Sequence, residues 1–145
     1  MTISSTRQAS PSLLRYASAI GGAVLVTALL WAASQSLGVE LRVYTRNGQP
    51  AQVVGLPLAL GSTLVVSLLA SATRKWLDRF TDRASTVWTR LAVTVLLVSL
   101  APMAYVQASG SAKATLALMH LAVAAVLVPL LASGSGARPG TQQHA

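Results

Sequence analysis

Four long stretches without a charged side chain constrain this sequence more than any other feature. They contain 24, 27, 22 and 24 residues and lie between Arg15 and Glu40, Arg46 and Arg74, Arg90 and Lys113, and Lys113 and Arg138. A helix of about 20 apolar residues crosses the roughly 30 Å hydrocarbon core of a bilayer, so each stretch is long enough to span it once. Because 53% of the residues are hydrophobic and only 10% are charged, the sequence predicts an all-α membrane protein, a four-transmembrane-helix bundle.

The predicted helices cover about residues 16–38, 53–73, 88–109 and 113–133, and together they form a single transmembrane domain, 16–133. The flanking segments 1–15 and 134–145 contain too few apolar residues to fold, so both are predicted to be disordered tails. A cleaved signal peptide, leaving three helices, is the alternative for the first stretch. Its uncharged run is longer than the roughly 7–15 apolar residues of a signal peptide, which favours four helices.

The basic residues are divided unequally between the two sides of the predicted bundle. Eight lie before the first helix, between helices two and three, and in the C-terminal tail, whereas only Arg42, Arg46 and Lys113 lie on the other side. Cytoplasmic loops collect Lys and Arg, so both termini are predicted to be cytoplasmic in a multi-pass plasma-membrane protein. This topology accounts for the net charge of +8; anionic lipid headgroups are predicted partners and nucleic acid is not.

The connection between helices one and two has the pattern of a β-hairpin. Val39, Leu41 and Val43 alternate with polar residues, and Asn47-Gly48 favours a tight type I′ turn. We predict a short extracytoplasmic β-hairpin that rests on the outer ends of the helices, because two strands alone are marginally stable in water. Whether it is a lid, a surface for a protein partner or only a connector is left open by the sequence.

The segment between helices two and three combines apolar residues at helical spacing with interleaved basic residues. It predicts an interfacial helix that meets lipid headgroups, or alternatively a segment that only anchors helix two at the interface. Arg79 with Asp82, or Arg74 with Asp78, is spaced for an ion pair one turn apart. The residues predicted to lie at this interface are Arg74, Lys75, Trp76, Arg79, Phe80 and Arg83.

His120 is the only acidic or basic side chain well inside any predicted span, about 10 Å from Lys113 at 1.5 Å per residue. An ionisable residue at such a position is by default a functional candidate. Trp31, Gly61 and Met103 fall at a similar depth on the other helices, so we predict that these four residues form an intramembrane pocket in the outer half of the bundle. The structural alternative is a core histidine bonded to a hydroxyl such as that of Ser62, or to a helix carbonyl.

The composition argues against most classes of enzyme. The chain has no cysteine and only three acidic residues, and it contains none of the familiar phosphate-binding, hydrolase or metalloprotease motifs. We therefore expect no catalytic residues, no metal site and no cofactor. The preferred function is a non-enzymatic binder of a hydrophobic ligand, a lipid or a partner protein, with a homo-oligomer also open. The alternative is a redox protein with haem or copper, or a small-solute transporter, that depends on His120.

Two segments carry a resemblance to a known family. These are "GVELRV" from Gly38 to Val43 and "ALMHLAVAAVLVPLL" from Ala117 to Leu131. With them the sequence resembles an uncharacterised family of small four-helix integral membrane proteins common in actinobacteria. The resemblance covers most of the chain and implies a plasma-membrane helix bundle. It implies no activity, because the family has none to transfer.

Overall fold

The computed structural model describes residues 10–39, 41–44, 52–105 and 107–133. Four helices make up most of this part of the chain, and two strands of two residues each lie between the first and second. The elements are α1 (Pro11–Ser36), β1 (Arg42–Val43), β2 (Gln52–Val53), α2 (Leu56–Phe80), α3 (Ala84–Tyr105) and α4 (Gly110–Ala132).

All four helices are long and apolar enough to cross a membrane. Within the most apolar part of each helix, at most 22% of the residues are buried inside the bundle. Most apolar side chains therefore face outwards, where a surrounding bilayer would cover them. The prediction of four helices that are each long and apolar enough to span a membrane is confirmed.

The first helix begins at Pro11, five residues earlier than predicted. The Ser10 hydroxyl accepts a hydrogen bond from the Leu13 N–H, and Pro11 occupies a first-turn position in which its missing N–H costs nothing. Residues 11–15, predicted to belong to a disordered tail, are therefore helical. The remainder of that tail, 1–9, and the tail 134–145 lie outside the described residues.

Gly38 ends α1 in a left-handed conformation, with φ of 69°. The Gly38 N–H donates to the Gln35 carbonyl at 3.0 Å and the Val39 N–H to the Ser34 carbonyl at 2.9 Å. This is the Schellman arrangement, which satisfies carbonyls that the end of a helix leaves without partners. It turns the chain back across the end of the bundle, which we call the strand end.

The two strands pair antiparallel at the strand end, with Arg42 opposite Val53. The Tyr44 N–H donates to the Gln107 carbonyl at 3.0 Å and so ties this segment to the connection between α3 and α4. Leu41 is buried there against Ala112 and Met119. The predicted turn at residues 47–48 lies outside the described residues, so the complete hairpin stays a prediction.

Helix α2 continues without a break to Phe80. The predicted end of helix two at residue 73 is therefore seven residues too early. The basic segment after residue 73 was predicted to be an interfacial helix or an anchor of helix two at the interface, and its position at the interface stays a prediction. This segment is the last two turns of α2, followed by a connection of only three residues, 81–83, and by α3. We call this end of the bundle the basic end.

The helices pack unequally around the bundle. Helix α1 packs along both α2 and α4, and α3 packs along α4, whereas α2 and α3 contact each other much less. The approach of α1 to α4 is close at Gly22, where an added Cβ atom would lie 3.1 Å from Cγ1 of Val126. The weak contact between α2 and α3 leaves one side of the bundle open.

Candidate functional site

An apolar groove lies between α2 and α3, and α4 forms its inner wall. It extends from Val54 and Leu116 near the strand end to Thr73 and Val128 near the basic end. Its volume is about 460 Å³, within the range of roughly 300–1,000 Å³ that is common for small-molecule sites. The groove is present because α2 and α3 pack only weakly against each other.

Most of the groove wall is aliphatic, with six hydroxyl or imidazole side chains among the lining residues. Ser62 and Thr63 donate to the carbonyl of Ala59 at 3.0 and 2.8 Å, and Ser99 donates to that of Leu96 at 2.7 Å. Hydroxyls in apolar helices commonly bond to their own backbone in this way. The six residues are Thr27, Ser62, Thr63, Thr73, Ser99 and His120.

A hydrogen bond between two buried threonines joins α1 to α2 beside the groove. The Thr27 and Thr63 hydroxyl oxygens are 3.1 Å apart, and each also lies within 2.9 Å of a carbonyl of its own helix. Such bonds between membrane helices contribute on the order of 0.6 kcal/mol. The pair fixes the position of α2 and thereby one wall of the groove.

His120 lies half-buried on the wall that α4 contributes. Its Nδ1 atom is 2.8 Å from the Leu116 carbonyl oxygen, one turn earlier on the same helix. The Ser62 hydroxyl, the predicted partner of His120, instead donates to its own helix. Of the two structural alternatives, the bond to a helix carbonyl is therefore the one observed, and it involves only Nδ1. Nε2 has no hydrogen-bond partner among the described residues.

The other three residues of the predicted pocket do not line the groove. The Trp31 indole N–H donates to the Val54 carbonyl at 3.2 Å. The Trp31 ring packs at the strand end against the buried cluster of Leu41, Ala112 and Met119. Gly61 faces open space, and Met103 is half-buried outside the groove wall. Residue counting predicts only a common depth, which stays a prediction, and nearly uniform apolar sequence does not reveal which way each helix is rotated.

The haem or copper alternative still depends on His120 alone. Within the described ranges, no group of three or more His, Cys, Asp or Glu side chains lies together as a metal site would require. The alternative stays a prediction.

Arg74 corrects the prediction for the basic segment. It is completely buried, its Nε donates to the Leu131 carbonyl at 2.7 Å, and its Nη1 pairs with the Asp78 carboxylate. Of the two predicted ion pairs, that of Arg74 with Asp78 is present, but the Arg74 guanidinium faces the end of α4 and not lipid. Arg74 is therefore a structural residue of the bundle core.

The other five residues of the predicted interface are exposed. The Trp76 and Phe80 rings lie with their centroids 4.6 Å apart. Together they form a mixed basic and aromatic surface at the basic end, which consists of Lys75, Trp76, Arg79, Phe80 and Arg83. We call it the basic-aromatic surface.

Three side chains donate to carbonyls near the C-terminal end of α4, two of them in its last turn, and sequence reasoning missed this role. The Ser85 hydroxyl donates to the Ala132 carbonyl at 3.0 Å, and the Trp88 indole N–H donates to the Val128 carbonyl at 3.3 Å. The third donor is Arg74, which bonds to the Leu131 carbonyl. Carbonyls at a helix C-terminus lack intrahelical partners and attract cations. One signal was available, because Thr63, Ser67 and Arg74 share one face of α2 at intervals of four and seven residues.

The fold and the groove define the class of this chain as a small four-span membrane protein with a lateral apolar groove. The chain belongs to the DUF6069 family, a family of unknown function, whose model matches residues 7–137. The predicted resemblance to an uncharacterised family is thereby confirmed. Comparison with curated proteins and comparison with solved structures gave no match.

Proposed function

We propose that this protein is a non-enzymatic membrane protein that binds one hydrophobic or amphipathic molecule in the groove between α2 and α3. The observation that carries the proposal is a groove of about 460 Å³ that is apolar along its length and has the half-buried His120 on its wall. Sites for small molecules commonly combine apolar walls with a few polar groups that orient the ligand.

Access to the groove is from the side of the bundle. Val66, Leu69 and Val95 line the groove and are each about half exposed. In a bilayer such residues face the acyl chains, so a molecule dissolved in the membrane reaches the groove without crossing water. This route favours a lipid-like ligand over a water-soluble one.

Filling the groove should weaken binding. Ala124 lines it from α4, and the ring of an Ala124→Phe variant would occupy part of the ligand volume. With tetradecanol as probe, counted on the protein by native mass spectrometry in mild detergent, we expect binding at least about tenfold weaker, the equivalent of roughly 1.4 kcal/mol.

Leu121→Phe is the matched control, because Leu121 is on the same helix, half exposed and outside the groove lining. It should bind tetradecanol like the wild type. Ala92→Phe places a ring in the groove from α3. It provides a second blocking variant in case Ala124→Phe does not fold. Unchanged binding in both blocking variants, with thermal stability preserved, would contradict the proposal.

The basic end is proposed to face the cytoplasm of a plasma-membrane protein, with both termini on that side. The supporting observation is the excess of eight basic residues over three. The basic-aromatic surface then lies at the height of lipid headgroups, where exposed Trp and Phe side chains enter the interface and Lys and Arg side chains reach anionic phosphates.

A reporter that is active only in the cytoplasm should be active when fused to the C-terminus. Replacing Lys75, Arg79 and Arg83 together by Gln lowers the basic excess from eight to five against three, and the inverted fraction should rise. A wild-type fusion that is active only outside the cytoplasm would refute this orientation.

A further inference from the structure

The ring nitrogens of His120 are not equivalent. Nδ1 lies 2.8 Å from the Leu116 carbonyl oxygen, which can only accept a hydrogen bond. We therefore assign the hydrogen to Nδ1. In the neutral imidazole, Nε2 then has a lone pair and no hydrogen, so it acts as an acceptor.

Nε2 is an accessible atom of a residue on the groove wall. It has no hydrogen-bond partner among the described residues, and it is not one of the fully enclosed polar atoms of this part of the chain. His120 itself lines the groove. A polar atom in apolar surroundings is stabilised by a partner, so this acceptor selects for a molecule that carries a donor.

The neighbouring polar groups of the groove have the same character. The hydroxyl hydrogens of Ser62 and Ser99 are donated to their own helices, which leaves only oxygen lone pairs towards the groove. The Trp88 N–H is directed to the Val128 carbonyl. Thr73 lies near the basic end, several turns from His120. Around His120, the described wall therefore presents acceptors.

Resting on the proposed function, we infer that the ligand is a neutral lipid-like molecule with a hydroxyl or amide N–H, which donates a hydrogen bond to His120 Nε2. Ethers and esters offer only acceptors and would leave Nε2 without a partner. Carboxylates and phosphates would bring a negative charge against lone pairs in apolar surroundings, which costs free energy. The inference assigns the chemical class of the ligand and makes His120 its specificity-determining residue.

The test compares two probes that differ in one hydrogen-bond donor. Tetradecanol and tetradecyl methyl ether have the same chain, but only the alcohol has an O–H. We expect the wild type to bind the alcohol about five- to tenfold more tightly than the ether, as one net hydrogen bond predicts. His120→Leu should bind both equally, whereas Ser99→Ala, which removes another wall hydroxyl, should keep the preference.

The outcomes separate this inference from the proposed function. Equal binding of both probes by the wild type overturns the role of His120 and leaves the groove as a binding site. A preference that survives in His120→Leu but is lost in Ser99→Ala places the acceptor elsewhere. Failure of both probes to bind overturns the proposed function as well. NMR of the labelled imidazole gives an independent check, because hydrogens on both nitrogens would contradict an acceptor at Nε2.

Discussion

Replacing Arg74 by Met should lower the free energy of unfolding in detergent by about 2–4 kcal/mol. The variant keeps an unbranched apolar stem and removes the guanidinium, which is completely buried. The Leu131 carbonyl then loses a charge-assisted donor at the end of α4, and Asp78 loses its partner. Thermal or denaturant unfolding followed by circular dichroism measures the loss.

Lys75→Met is the matched control for Arg74. It removes the same charge one residue further along α2, from an exposed side chain, and should change stability by less than about 0.5 kcal/mol. If both variants lower the free energy of unfolding equally, the loss is due to net charge, and the structural role assigned to Arg74 is contradicted.

Trp88→Ala should cost about 3–5 kcal/mol, the usual range for truncating a buried tryptophan. Trp88 is 4% exposed and packs within the cluster of Leu77, Ala84 and Leu127 at the basic end. Truncation leaves a cavity and removes the indole donor from the Val128 carbonyl. The same unfolding measurement checks this value.

Trp76→Ala provides the comparison within the same region of the chain. Trp76 is 58% exposed and belongs to the basic-aromatic surface, so its truncation should cost less than about 1 kcal/mol in detergent. A Trp88 variant as stable as the Trp76 variant would show that the core at the basic end is not packed as described.

The sequence predicted the number of helices because the positions of charged and apolar residues along the chain can be read directly. Four uncharged runs sufficed for that, and they required no knowledge of packing. Helix ends were less accurate where local chemistry decides them. Ser10 with Pro11 starts α1 early, and nothing in the sequence after residue 73 breaks α2 before Phe80.

The site was predicted less completely, for a physical reason. Residue counting gives depth in the membrane, which is why His120 was a valid candidate. The rotation of each helix decides which side chains face one another, and in apolar helices this depends on close packing between small residues such as Gly22 and their neighbours. Trp31, Gly61 and Met103 therefore do not line the groove, although residue counting assigns them the same depth as His120.

The burial of Arg74 could not be deduced from its charge. An arginine near the end of a membrane helix usually extends its side chain to the interface. The structure turns it inwards because the last carbonyls of α4 supply an acceptor at that height. That acceptor belongs to a segment 57 residues away along the chain. The sequence of α2 therefore indicates only that Arg74 shares a face with Thr63 and Ser67, and not which group it meets.

The most direct test of the central claim is a native mass spectrum of the chain extracted from its own membrane in mild detergent, without added ligand. We predict that a single lipid-sized mass remains bound to the wild type and to Leu121→Phe, and is absent from Ala124→Phe. A bare chain in every sample, or the same retained mass in Ala124→Phe, would contradict the claim that the groove between α2 and α3 is a binding site.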